Sequence, residues 1–527
     1  MNFAFPSRIP AVLALFTLCA LPVTPARAQS SPQPAAPPQK QAAPAKKPDT
    51  LITPQQAKEL FASIDQILQF DSHDSGLPIE HPVKRQLTSR ADVQKYLESQ
   101  LKNGKSAKRM LRSGIVLKKF GLLPQNFDLG PFMVKLLKEQ IAGYYDSKTK
   151  TVYLLNWVAP DVQKPVMAHE LMHALQDQHV NLQKWGDKSL DGISHNVRQD
   201  NAHIRTDEDD TARQAVLEGQ AMVTYIDYAL RPHHVTIADN PAFMLAHLGD
   251  ITSGSTNSPV MDSAPRVLRE SLVFPYDQGL RFEIELIRDL GIHGAFAGAL
   301  DNPPSTSYQI MNPRAYEDHT PMPILTMPNI HPLLDHDYKP YDIGVMGDLD
   351  AKMLLQLSTS TKQATQIASQ WDGGIYYVAQ QKHAIDPKST ASVALLYLSR
   401  WKTPATAQLF AKNYELEIAK QYPGAKLQPA STPGDRIYST SQGPVLITIT
   451  NRYVFVSESF PLPIARKLNL MLLNAQNAFT GQETAAYHPA YPDLTSGIRN
   501  FTTQAGFLRC ELPIAARAAH METRHLY

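Results

Sequence analysis

Cysteine is nearly absent from this chain, with two residues in 527, Cys19 and Cys510. Cys19 falls inside an N-terminal segment with the pattern of an export leader, so the mature chain would keep one thiol and no internal disulfide. An excess of either charge is missing too: 51 Lys+Arg face 49 Asp+Glu, a formal net charge of +2. That balance argues against a basic nucleic-acid clamp. Glycine is unremarkable at 25, while proline reaches 41, so many rigid turns are expected. There is no phosphate-binding GxxxxGK loop, no GxGxxG, no GxSxG elbow and no cysteine pair for a thiol or zinc-ribbon site. Past the leader no apolar run is long enough to span a bilayer.

The leader reading covers residues 1–28. Arg8 is the one charge among the first ten residues, residues 11–23 are apolar but short, and Ala26-Arg27-Ala28 offers small residues for cleavage. Lipoprotein processing at Cys19 is disfavoured by the bulky Leu18 before it. The expected location is secreted or periplasmic. Residues 29–50 form a Pro/Ala-rich linker with little to bury.

From Leu51 the apolar spacing is helical, with Leu60, Ile64, Ile67 and Leu68 on one stripe and Val93, Leu97 and Leu101 on another. A third helix is expected over 132–141, then a strand, tight turn and strand over 143–155. Segments 165–180 and 211–230 read as helices, the second preceded by Asp207, Glu208, Asp209 and Asp210, which suit a helix N-terminus. Residues 251–264 read as an exposed loop, followed by Phe274-Pro275-Tyr276 and a helix to about Leu290. After a proline-studded stretch, 302–340, a helix is expected from Leu349. Beyond it come a strand, a helix over 405–422, strands over 444–449 and 453–456, and a helix over 464–478. The expected class is α+β, with a mainly helical domain carrying a small edge-strand sheet (51–345), a smaller C-terminal α+β module (346–485) and a tail (486–527).

The chemistry is concentrated in His169-Glu170-Leu171-Met172-His173, an HExxH pattern in a run, 166–180, free of Gly and Pro. On a helix, residues four apart are separated by about 40° around the axis, so both imidazoles can face one metal, with Glu170 beside them to hold water. With 18 His and 17 Glu in the chain, about 0.02 such patterns would arise by chance. Nitrogen and carboxylate donors with an open position suit zinc, and the pattern points to peptide-bond hydrolysis by a metal-activated water.

Two residues compete as third ligand. His179 has the metzincin spacing from His173, but Gln176 stands where that arrangement turns at a glycine. If the helix continues, His179 points about 120° away from His173. The rival is Glu218, in Leu217-Glu218-Gly219-Gln220-Ala221, where small neighbours let helices pack closely. Asp209 and Asp210 are further acids in reach.

The runs HELMH, ALQDQ and LEGQA resemble the gluzincin clan of zinc metallopeptidases. The fuller chain, over about residues 55–480, resembles a group of secreted bacterial HExxH proteins through 139–157, Pro275 to Gly279 (read as a PYxxG turn) and 303–313, departing from them at Tyr308 and Asn312. The resemblance implies a zincin-like fold, Zn2+ held by His169, His173 and Glu218, Glu170 as general base and Tyr276 as donor to the oxyanion. Glu218 and Tyr276 are 58 apart, as in the clan's EGxA and YxxG motifs. A GAMEN-like amine-capturing motif is missing, which favours an endopeptidase acting on a peptide or protein substrate.

The hairpin over 143–155 would be the edge strand that a peptide substrate extends, or a plain structural hairpin, with Tyr144, Tyr145 and Tyr153 either core or contacts. His203 reads as a solvated loop residue or a second oxyanion donor, and Trp371-Asp372-Gly373-Gly374 as packing and a turn. The alternatives to a gluzincin are a metzincin-type peptidase using His179 and a non-catalytic binding protein that keeps the scaffold.

Overall fold

The computed structural model describes residues 51–478 except 104, 142, 186–195, 206–207, 253–257, 322–323, 431 and 433. The expected leader, linker and tail, with both cysteines, lie outside the described residues. Helix α1 (Pro54–Ser75) starts at a capping box between Thr53 and Gln56 and ends at Gly76, whose φ of 72° is the left-handed position that stops a helix without a Cβ penalty. Its buried face is Leu60, Ile64, Ile67, Leu68, Asp71 and Ser75. Helices α2 (Arg90–Asn103), α3 (Lys105–Lys119) and α4 (Leu129–Gln140) follow.

Strand β1 (Lys84–Thr88) lies parallel to β3 (Thr151–Leu155), and β2 (Tyr144–Asp146) closes the hairpin on the other side, giving the order β1-β3-β2. The hairpin is where the sequence places it. Strand β1 is not legible because only Thr88 of its residues is buried and its partner lies more than sixty residues away.

Helix α5 (Pro160–Val180) starts five residues before the expected Pro165, which it carries inside. Pro160 supplies the first-turn proline, where a missing N–H costs nothing, and Asn181 in the left-handed region ends the helix. After α6 (Val197–Arg205) comes α7 (Asp209–Leu230), in which every residue but Ala229 is buried. It is the central strut, flanked by α5 and by α8 (Arg266–His293).

Helix α8 corrects two expectations. The segment Pro275 to Gly279 is not a turn but the middle of this helix, which begins at Arg266. Pro275 deletes one backbone donor, yet the buried stripe of Leu268, Leu272, Tyr276, Gly279 and Leu280 holds the helix together by packing. Within the expected loop over 251–264, Pro259–Asp262 is a short helix capped by Ser258, with Val260 and Met261 buried. The Glu139 carboxylate accepts from the Ser258 hydroxyl (2.6 Å) and the Val260 N–H (3.0 Å), an anchorage no local pattern announces.

The α7–α8 crossing depends on two glycines. A Cβ on Gly279 would lie 2.1 Å from the Ala215 carbonyl oxygen, and one on Gly219 would lie 2.4 Å from the Gly279 carbonyl. Backbone therefore meets backbone here, and Gly219 with Ala215 does for α8 what the sequence suggested for the site helices.

A seven-stranded sheet follows, in the order β4-β5-β6-β10-β9-β8-β7 and antiparallel throughout. Its strands are β4 (Tyr338–Val345), β5 (Trp371–Gln381), β6 (Val393–Trp401), β7 (Lys426–Gln428), β8 (Asp435–Thr440), β9 (Gly443–Thr450) and β10 (Tyr453–Glu458), with helices α9 (Pro404–Gln421) and α10 (Leu462–Ala478). Strand β4 belongs to this sheet, so the sheet begins before the boundary expected after 345. Pro340 disguises β4 as loop, and the structure tolerates it on an edge strand beside a register shift at Pro340/Asp342. The described residues fall in one compact unit. Lys119 of α3 ties its parts together: its buried Nζ donates to the Thr390 carbonyl (3.3 Å), Gln442 Oε1 (3.0 Å) and Ser459 Oγ (2.7 Å). No described helix is long and apolar enough to cross a membrane.

Two predictions follow from this packing. Gly279→Ala should lower stability by about 3 kcal/mol in denaturant melts, because the overpacking penalty exceeds the helix-propensity gain of about 1 kcal/mol; a neutral or stabilising result would refute the close approach. Asp71 on α1 is fully buried, and among the described residues neither of its carboxylate oxygens has a hydrogen-bond partner. Burial, then the nearby Asp74, raises its pKa, and burial likewise raises Asp74 to about 7. Both groups hold protons in the folded state at pH values where the unfolded chain releases them. Stability from them is complete below about pH 4 and falls as pH rises toward their folded values. Unfolding at pH 5 and pH 8 should show a smaller loss across that interval for Asp71→Asn than for wild type.

Candidate metal centre

Helix α5 presents His169 and His173 one turn apart, and α7 brings Glu218 against them. The three donors meet at 3.1 Å (His169 Nε2 to Glu218 Oε2), 3.1 Å (His169 Nε2 to His173 Nε2) and 3.5 Å (His173 Nε2 to Glu218 Oε2). A tetrahedral zinc with bonds of about 2.0–2.1 Å spaces its ligand atoms about 3.3 Å apart, so the donor set has the right chemistry and the right size. Among the described residues it is the one His/Cys/Asp/Glu group compact enough to hold a metal ion. His169, Glu170 and Glu218 are 0%, 3% and 2% exposed, while the His173 side chain keeps 13% of its surface accessible, so the donors are buried except on the His173 side.

Burial governs the protonation. It holds His169 down to about 4, outweighing the hydrogen bond that His169 makes to Glu218. Burial also works against charge on His173, but Glu218 and then Glu170 outweigh it and lift His173 to about 9. Burial would raise Glu218, but His173 and His169 together hold it near 2. Glu218 is thus an anion paired with a charged His173, beside a neutral His169. Burial pushes Glu170 up to about 7 despite the nearby His173, which leaves this carboxyl able to take and return a proton near neutral pH.

Glu170 is positioned by the hairpin. Its Oε2 accepts the Tyr145 N–H at 2.7 Å. Two turns further along α5, Asp177 Oδ2 accepts from the Tyr145 hydroxyl (2.7 Å) and Lys150 Nζ (2.6 Å), while Oδ1 accepts the Leu182 N–H (3.0 Å). Residues seven apart share a helix face, so two carboxylates of one face grip the strand. Gln163 adds a third hold, accepting from the Leu155 N–H and donating to the Leu155 and Val158 carbonyls. Tyr144 stacks on Tyr153 and on Tyr96, as a core residue does.

The other expected residues divide. Tyr276 comes to the site on α8, its ring 6.3 Å from the His169 ring with planes 25° apart. His179 does not: α5 continues through Gln176, and His179 Nε2 lies 3.0 Å from Asp301. Asp209 pairs with Arg213 at 3.4 Å and Asp210 lies 3.9 Å from Arg109, about two turns from Glu218 along α7. His203 is buried at 5% exposure within α6, which corrects the solvated loop residue expected there. Trp371 to Gly374 opens β5 with a register shift, and the Trp371 indole donates to the Met346 carbonyl at 3.0 Å. Asp177 and Gln220 are not singled out in the sequence, and Gln176 is weighed only as the residue in place of the metzincin glycine, although spacings of three from His173 and seven from Glu170 flag Gln176 and Asp177.

Asp177→Ala should lower stability by about 1–3 kcal/mol, because it strands the Tyr145 hydroxyl and the Leu182 N–H. Amide hydrogen exchange at Tyr145 should accelerate in the same variant; an unchanged rate would show that Asp177 does not hold the hairpin.

Comparison with known protein families, curated proteins and solved structures gave no match to this chain.

Proposed function

We propose that this chain is a zinc-dependent metallopeptidase of gluzincin type with a zincin-like catalytic region, exported through its N-terminal leader and cutting internal bonds of peptide or protein substrates. The observation that carries the reading is the set of His169, His173 and Glu218, buried but for part of His173, with zinc-sized spacing, with Glu170 on the same helix and a sheet edge against it. Zinc in this set would supply Lewis acidity toward water and a peptide carbonyl. Glu170 accepts the proton of the attacking water and delivers it to the departing amine, a task suited to a carboxyl whose pKa is raised to about 7. The Tyr145 N–H on Glu170 Oε2 keeps the carboxylate from rotating away, leaving Oε1 for the transfer. Tyr276 is the donor proposed for the oxyanion, supported by its place beside His169. Strand β2 is an edge of its sheet, which supports a substrate adding as a further strand. The near-zero net charge supports partners other than nucleic acid.

The test is metal content and turnover of residues 29–527. Wild type should hold about one zinc, by the four-coordinate stoichiometry of such sites. His179→Ala should retain it and Glu218→Ala should lose it. Glu170→Gln should keep zinc while cleavage of a denatured protein substrate falls by about 10²–10⁴-fold. Zinc without any turnover in wild type would favour the non-catalytic binding protein, and no zinc uptake when zinc is offered would end the metalloenzyme reading.

A further inference from the structure

Behind the metal centre runs a line of buried amides. His173 Nδ1 lies 2.8 Å from Gln176 Oε1. Gln176 Nε2 donates to the Leu217 carbonyl (3.0 Å) and to Gln220 Oε1 (2.9 Å). Gln220 Nε2 donates to the carbonyls of Ala295 (2.9 Å) and Phe296 (3.0 Å). Both glutamines are 0% exposed, so no water competes for these groups. The last two acceptors lie in the π-helical turn Gly294–Gly298 that follows α8; such turns recur at functional sites.

We infer that Gln176 and Gln220 are positioning residues: a relay anchored on the Ala295 and Phe296 carbonyls that sets the tautomer and ring orientation of His173 for metal binding. The inference deepens the metallopeptidase reading and rests on it for the identity of the bound group. Its direction follows from what each atom can do. A backbone carbonyl only accepts, so the Ala295 and Phe296 oxygens must face the NH2 of Gln220. Gln220 therefore turns its oxygen toward Gln176. Gln176 must answer with its own NH2, which the Leu217 carbonyl also requires, and so its oxygen faces His173. An amide oxygen only accepts, so Nδ1 of His173 keeps its hydrogen in the charged and in the neutral ring, and Nε2 is the nitrogen left to give up its proton and offer a lone pair to a metal. That is the nitrogen lying 3.1 Å from His169 Nε2 and 3.5 Å from Glu218 Oε2. Flipping either amide would set oxygen against oxygen at the buried end of the line. Partners of this kind orient metal-binding histidines, and their loss costs about 10–100-fold in metal affinity.

The test uses the mature chain and zinc affinity by chelator competition. Gln176→Leu should weaken zinc binding by about 10–100-fold. Gln176→Glu should bind zinc more tightly than Gln176→Leu, since a carboxylic acid there accepts from Nδ1–H with one oxygen and donates to the Leu217 carbonyl or Gln220 Oε1 with the other. Gln220→Leu should weaken zinc binding in the wild-type background and leave it unchanged in the Gln176→Glu background, where no amide remains to be oriented. An equal loss in both backgrounds would overturn the relay, because a residue that merely fills space matters in either. Ring-15N-histidine spectra, assigned with His173→Gln, give a readout free of the metal: hydrogen on Nδ1 of His173 is expected with and without zinc. A neutral ring with hydrogen on Nε2 would overturn the relay. No zinc uptake with the Nδ1–H signal intact would sink the metallopeptidase reading and leave the orientation of His173 by Gln176 and Gln220 in place.

Discussion

Glu218 sits buried between two imidazoles from a helix 49 residues earlier in the chain, and the surrounding architecture answers to that contact. A carboxylate taken out of water costs several kcal/mol unless charge and hydrogen bonds replace the solvent. Here a charged His173 and a hydrogen bond from His169 replace it. The arrangement holds only while α5 and α7 stay at one separation, and that separation is set by what packs behind them. Helix α7 is buried almost all round, so each polar side chain it carries needs a partner inside the protein. Glu218 finds its partners in the histidines, Gln220 in the turn after α8, and Asp227 in the Ile237 N–H.

The glycines and the hairpin serve the same end by different means. Gly219 and Gly279 let α8 approach until backbones touch, which brings Tyr276 beside His169 and places the Gly294–Gly298 turn within reach of Gln220. On the far side, Asp177 and Gln163 hold the hairpin against α5 so that one backbone N–H meets Glu170. Two of the groups that would meet the proposed zinc or water, His173 and Glu170, are thus each held by a second residue on a rigid element. That is the condition for a catalytic group to be aimed before substrate arrives.

Much of this was legible in the chain. Helical spacing announced α1, α5, α7, α9 and α10 to within a few residues, and the alternation around Tyr144 and Val152 announced the hairpin. HExxH announced two donors on one helix face. The failures have physical causes. Pro275 reads as a break, yet the burial of Leu272, Tyr276 and Leu280 carries the helix past it. Pro340 reads as loop, yet an edge strand needs no N–H at that position. His203 reads as solvated because its neighbours are polar, yet α6 buries it. Strand β1 is hidden because its partner β3 lies more than sixty residues away, β6 because a run buried on both faces carries no alternation, and β7 and β8, which pair with sequence neighbours, because β7 is exposed throughout and β8 turns Asp435 inward.

The sequence by itself determined the kinds of donor and their local phase: two imidazoles and a carboxyl on one helical stripe, a second carboxyl on another helix, and small residues beside it. These depend on a 3.6-residue repeat, which any window of the chain carries. Tertiary structure alone decided that Glu218 rather than His179 completes the trio, that Tyr145 clasps Glu170, and that two glutamines stand behind His173. Such choices depend on how closely helices from distant parts of the chain can pack, a property of the assembled core that no single segment encodes.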